Sequence, residues 1–414
     1  MVLKGERMTR TVIKIETLIS FLTFVYLASS YVFIMFTWGR YIMFAAILLI
    51  FLLYVSTNRG ILQIPERQFI ERGLLFVIFC FSSIIWSASK SNALSRSITL
   101  LEIFLCTYVI FLNYYNKSDI KPLLNVLMWS GYAEGIVLCF YYGIRNILSF
   151  SVSINGDFGN QNMIGMVMAI NIVVTIYMML FERPRFVHIF AILSVLLLAE
   201  SMSRTAMLGC LTGIVVLFGA KIKSEKSFIK KLEKILGILL VLVVFTFFLG
   251  ETGVFDSLFD RLRELALTLK GDSGDSSSRL RIILIEEGFK QFLKTPFFGL
   301  GINNSFQVAM NAVGHNYYLH NNYIDMLVNG GLIGFLCYAS LYVYPIVSFI
   351  KYRKYADNQF YISLAILVSI LIMDVGTVSY YAKETYFFLM IFFVEASRLK
   401  KRQIELSSAQ SILE

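Results

Sequence analysis

Charge is scarce in this chain, and so are histidine, proline and clustered cysteine. Only 15% of its 414 residues are Asp, Glu, Lys or Arg, whereas 57% are hydrophobic and the mean hydropathy is +0.70. That is too apolar for an aqueous globule of ordinary composition, so the chain reads as an integral membrane protein. The short alternating segments of a transmembrane barrel are missing, which leaves an all-α reading. Cys80, Cys106, Cys139, Cys210 and Cys337 all lie in apolar runs with no pair at metal-ligand spacing, and they read as small buried side chains. The acids Asp256, Asp260, Asp272 and Asp275 lack the spacing of a calcium loop. No Gly-rich loop ending in Lys suggests a nucleotide-driven pump. No cofactor and no metal are therefore expected. A cleaved leader is also disfavoured, because the apolar run from Thr17 to Phe36 is longer than a signal core.

What the chain has in abundance is apolar runs of membrane-spanning length. Crossing ~30 Å of hydrocarbon takes ~20 residues of helix. Such runs fall near 17–37, 41–57, 73–89, 97–115, 122–142, 162–181, 186–201, 203–220, 232–250, 321–349, 359–378 and 384–398, which predicts a polytopic protein with about 12 transmembrane helices. Lys and Arg set the expected orientation: 24 fall in one set of connections, 6 in the short opposite loops, and 7 in one long segment. The positive-inside rule then places both termini in the cytoplasm. The net charge of +10 needs no nucleic acid, because the cluster from Lys221 to Lys234 reads as an inward loop facing anionic lipid.

The division predicted is 1–249 as about nine N-terminal membrane helices, 250–319 as an external loop, and 320–414 as about three C-terminal membrane helices. The loop opens on Phe255, Leu258, Phe259, Leu262 and Leu265 at helical spacing, an interfacial pattern. A polar break over Gly271–Ser278 follows, then a second amphipathic helix from Arg279 that ends at Thr295-Pro296. A Gly-rich turn leads on to His320-Asn321, and after nine intervening residues come Gly331 and Gly334, expected on one helix face.

Ionisable groups near membrane depth are costly, so each is a functional candidate. Arg204, in SMSRTAML, lies between two apolar runs; Arg96 lies in a similar place and reads as snorkelling to the interface. Arg279 and Arg281 open a helix, where a cation opposes the macrodipole and favours an anionic partner. Arginine's planar fork matches phosphate. His320 stands at the mouth of a helix beside this arginine-bearing segment, where a neutral imidazole can take a proton from a hydroxyl. His315 lies five residues upstream and His188 near the inward end of its helix.

Four stretches occur in order: FGNQNMIG at 158–165, SRTA at 203–206, SSSR followed by KTPFFGLGINNSF over 276–306, and His320-Asn321 followed by Gly331-x-x-Gly334. Together they resemble the O-antigen ligase and repeat-unit polymerase family over roughly 158–335. The resemblance implies a multi-pass glycosyltransferase of the bacterial cytoplasmic membrane. Such an enzyme moves a glycan from undecaprenyl diphosphate to an acceptor hydroxyl on the outer face. It also implies a diphosphate-binding role for Arg204 and Arg279, with Arg281 as a neighbouring candidate, and an essential histidine at His320. Asn321, His315, Asn160, Gly331 and Gly334 are the supporting candidates. The partners implied are the lipid-linked glycan donor, a glycan or lipid A-core acceptor, the bilayer, a chain-length regulator and a flippase.

Undecaprenyl diphosphate is a good leaving group, so arginines and a base suffice for a metal-independent, inverting displacement. Phe335 stands directly after Gly334, where the ligase branch tends to carry Thr or Val, and this departure favours a polymerase over a ligase. The rival class is a transporter or flippase, which twelve helices would suit. Against it, the ionisable residues gather at one face and its loop, with Glu134 and Asp374 as exceptions.

Overall fold

A computed structural model describes residues 2–32, 36, 38–58, 67–148, 160–182, 185–225, 227 and 276–413. The expected span at 232–250 and the first half of the long loop lie outside them. Among the described residues the chain is all helical, with fourteen α-helices and no strand. They are α1 Val2–Val32, α2 Gly39–Thr57, α3 Gln68–Ser82, α4 Lys90–Tyr114, α5 Lys121–Tyr142, α6 Ile144–Leu148 and α7 Gln161–Phe181. There follow α8 Ala191–Glu200, α9 Arg204–Ser224, α10 Ser276–Lys294, α11 Phe306–Val313, α12 Asn322–Tyr352, α13 Asn358–Met373 and α14 Lys383–Leu413.

Eight helical stretches among the described residues are long and apolar enough to cross a membrane, and Phe186–Glu200 and Asn358–Met373 are shorter apolar stretches. The reason is the solvent: in hydrocarbon every backbone N–H and C=O must be paired within its own segment, and the helix does this without a neighbour. The chain is a polytopic membrane protein. Its helices are joined by small residues that let backbones approach. On α9, a side chain at Gly209 would overlap Met373 and one at Gly213 would overlap Ser369, so α9 and α13 pack face to face. Inside the bundle, Asn171 donates to the carbonyl of Met128 (2.7 Å) and accepts from Ser194 Oγ (2.8 Å), cross-linking α5, α7 and α8.

Three expectations need correcting. The polar break does not run to Ser278, because α10 already begins at Ser276. The span predicted over 359–378 stops at Met373. There the Asp374 carboxylate accepts from Ser379 Oγ and Asn322 Nδ2, and it pulls the chain into a turn. Gly331 and Gly334 do not share a helix face: Gly331, at φ +59° and ψ −164°, breaks α12. A Cβ at Gly331 would overlap the backbone of Phe297 and Phe298, while one at Gly334 would overlap the Phe79 ring. One glycine admits the Pro296–Phe298 turn and the other admits α3. The Leu332 and Ile333 N–H groups, freed by the break, donate to the carbonyls of Pro296 (2.8 Å) and Phe297 (3.1 Å).

Candidate functional site

The first turns of α12 hold two loops. Asp325 and Asn329 lie one turn apart on its buried face. Asp325 accepts from Ser305 Oγ (2.7 Å), from the Leu319 N–H (3.3 Å) and from Asn329 Nδ2 (2.7 Å). Asn329 in turn accepts from the N–H groups of Asn304 (2.7 Å) and Ser305 (2.8 Å). The GLGINNS stretch is thereby stapled to α12, and Asn304 extends the staple to Ser87 (2.7 Å) and Ser89 (2.9 Å) ahead of α4. On the other side, Asn322 accepts from the N–H groups of Ser379 and Tyr380 (both 3.0 Å) and donates to Asp374 (3.1 Å).

His320 is fixed between these anchors. Leu319 before it is held by Asp325, and Asn321 after it caps α12 by accepting from Tyr323 and Ile324 N–H (both 3.0 Å). The Asn321 amide also donates to the Val375 carbonyl (3.1 Å). His320 itself takes φ +54°, a left-handed conformation uncommon outside glycine and one that costs ~1–3 kcal/mol. Its ring packs on Tyr318 at 4.2 Å between centroids, and Nδ1 is buried with no hydrogen-bond partner among the described residues. Burial, and next the positive charge of Arg281, push the imidazole down from its ordinary value to about 4. It is neutral at pH 7.

Arg281 reaches the histidine because α10 is clamped onto α12. Leu284, Val308, Ala309, Leu319 and Val328 form a small separate core, and Gly288 sits against Ile324 and Leu319. Arg281 is three residues ahead of Leu284 and shares its face. Arg279 is two residues from Arg281, on another face, and is exposed. Arg204 opens α9, half-buried. Its neighbours Ser201 and Ser203 pack on Gly165 of α7, and Thr205 packs on Gly376 in the turn whose Val375 carbonyl holds Asn321. Asn160 caps α7 by accepting from the Asn162 N–H (2.8 Å), and its amide donates to the Tyr318 hydroxyl. His315 is exposed, and its ring lies 5.6 Å from that of Tyr317.

The structure thus links Asn160 to His320 through Tyr318, with Asn321 beside the histidine, Arg281 acting on it electrostatically, and Arg204 joined through the 374–380 turn. Sequence reasoning missed Tyr318, Asp325 and Asn329, and it read Arg96 as an interfacial snorkel. Arg96 does not simply snorkel: it donates to Asn303 Oδ1 (3.2 Å) and lies 3.9 Å from the centroid of the Tyr381 ring. A signal for Asp325 and Asn329 was present, because two polar residues four apart in an apolar helix share a face. No metal-binding group of His, Cys, Asp or Glu occurs among the described residues.

Residues 189–339 match the family model described as O-antigen ligase. The match runs from before Arg204 to beyond Gly334, and it supports the O-antigen ligase and polymerase family that the motifs resemble. That family implies a glycosyltransferase-type enzyme in a membrane, with a lipid-linked glycan and an acceptor as substrates. No curated protein matches the chain.

Proposed function

We propose that this protein is a repeat-unit polymerase that moves a glycan from undecaprenyl diphosphate to an acceptor sugar hydroxyl at the outer face of the bacterial cytoplasmic membrane. The observation that carries the reading is the placement of a neutral, half-buried imidazole under the charge of Arg281, within the segment that matches the family. Arg281 and Arg204 bind the diphosphate, with Arg279 at the exposed rim. As the acceptor oxygen bonds to the anomeric carbon, its O–H bond breaks and the proton passes to His320. The bond from that carbon to the phosphate oxygen breaks with its electron pair, and undecaprenyl diphosphate departs. Displacement from the opposite face inverts the anomeric centre.

The resting imidazole is a weak base, but the substrate corrects this. A bound diphosphate neutralises Arg281 and adds negative charge of its own, and both changes raise the affinity of His320 for a proton. General-base strength therefore appears only in the loaded enzyme. The arginines perform the charge stabilisation that a metal ion performs elsewhere, so turnover is expected to survive a chelator.

Phe335 supports polymerase over ligase. Deleting the gene and running the surface glycan on a gel tests this directly: a single repeat on the lipid anchor means polymerase, whereas long chains stranded on undecaprenyl diphosphate mean ligase. The charge bias supports cytoplasmic termini, so a reporter fused after Lys231 should read cytoplasmic and one near Ser276 external. The reverse result would remove the site from the proposed face.

A further inference from the structure

A cavity of about 210 Å³ lies at the same end of the bundle as His320, lined by Tyr31, Glu134, Asn160, Tyr381, Lys383 and Glu384 among others. These residues come from the end of α1, from α5, from the N-cap of α7 and from the start of α14. Glu134 is only 5% exposed, and its Oε2 has no hydrogen-bond partner among the described residues. A buried carboxylate left this way is rare, because desolvation is uncompensated. Neither Glu134 nor Glu384 forms an ion pair with Lys383. The hydrogen-bond contact of that ammonium among the described residues is the Met43 thioether at 3.5 Å, a weak acceptor.

We infer that this cavity is the acceptor-sugar subsite, an inference that rests on the transferase reading. Its chemistry selects the occupant. Two carboxylates against one ammonium repel a diphosphate, and their oxygens are wasted on a polyprenyl chain. A pyranose ring satisfies every group: its hydroxyls donate to Glu134 and Glu384, accept from Lys383 and Asn160, and its C–H face lies on tyrosine. The volume is below the ~300–1,000 Å³ of ordinary ligand pockets, which suits one ring and not a polymer.

Position selects the acceptor over the donor. Asn160 lines the cavity, yet its amide donates to the Tyr318 hydroxyl, and the Tyr318 ring packs on His320. Tyr381 on the same cavity wall carries Arg96 on its face, and Arg96 holds Asn303 of the GLGINNS stretch. A sugar seated here is linked to the base through Asn160 and Tyr318, on the side of α7, while the donor's phosphates belong to Arg281 on α10.

The test uses the purified full-length protein and lipid-linked repeats extracted from a host strain lacking the gene. Glu134→Gln, which keeps shape and loses charge, and Lys383→Met are each expected to lower transfer at limiting repeat concentration by tenfold or more. Both should retain the wild-type melting temperature and wild-type binding of undecaprenyl diphosphate without sugar; Arg281→Ala should lose that binding. Full transfer in both variants would overturn the subsite and leave the transferase standing. Lost transfer together with a lowered melting temperature, or with lost undecaprenyl diphosphate binding, would also overturn it, by assigning these residues to the scaffold or to the donor. Full transfer in His320→Ala would instead overturn the reading beneath it.

Discussion

The two ends of the helix bundle are held by different chemistry. At the end away from His320, helices are tied by ion pairs: Lys117 with Glu16, Lys121 with Glu182, and a cluster in which Arg398 meets Asp357 and Glu395 while Arg402 also meets Asp357. At the His320 end, ties among the described residues include amides, hydroxyls and the carboxylates of Asp325 and Asp374. Arg96 there meets an amide and an aromatic ring. Ion pairs neutralise the charge they use, whereas amide staples fix backbone without drawing on charged side chains. The proposed diphosphate site needs fixed backbone, which the second kind of tie supplies, and an end that only holds helices together can use the first.

The sharpest way to break this contrast is to remove one residue from each end. His320→Ala should lower glycan transfer ~10²–10⁴-fold at normal protein level, the range for general-base catalysis, and a loss below tenfold would reduce the histidine to a positioning role. Arg398→Ala should do the opposite. It strips a cation from two buried or half-buried carboxylates, a loss of ~3–5 kcal/mol for a buried pair, so the protein should accumulate poorly while the fraction that folds keeps its specific activity. Normal accumulation of Arg398→Ala would deny the distal cluster its structural role.

A smaller effect separates the two arginines of α10. Arg281→Ala should weaken undecaprenyl diphosphate binding more than Arg279→Ala does, because only Arg281 shares the Leu284 face turned toward His320. Equal losses, read by binding of the sugar-free lipid, would show that the exposed Arg279 swings in when substrate arrives.

Smaller again is a shift in pH dependence. Because burial and Arg281 lower the His320 pKa, imidazolium forms only well below the ordinary 6.5, and the acid limb of kcat/KM should lie below that value. Arg281→Ala removes a charge that disfavours protonation, so the limb should move up in pH. A downward move would contradict the assigned contact. The smallest change is expected at His315, exposed and one ring away: His315→Ala should retain most activity. A dead His315→Ala beside a live His320→Ala would reassign the base.

Much of this was legible without coordinates. The shortage of charge and the long apolar runs dictate spanning helices, because hydrocarbon offers the backbone no other partner. The order of short motifs around Arg204, Arg279 and His320 was enough to indicate the family. Asn321 was expected beside the histidine, but its work as cap of α12 and tie to Val375 depends on contact between distant segments.

What the sequence alone determined, then, is the solvent this chain folds in and the residue types available for chemistry, since each follows from local composition and spacing. Only the tertiary structure decided that Gly331 breaks its helix, that Arg281 and not Arg279 faces the imidazole, and that Glu134 and Asn160, 26 positions apart in sequence, line one cavity. These depend on which faces of packed helices meet, a property of the docking of α10 on α12 and of α5 on α7 that no single helix carries in its own period.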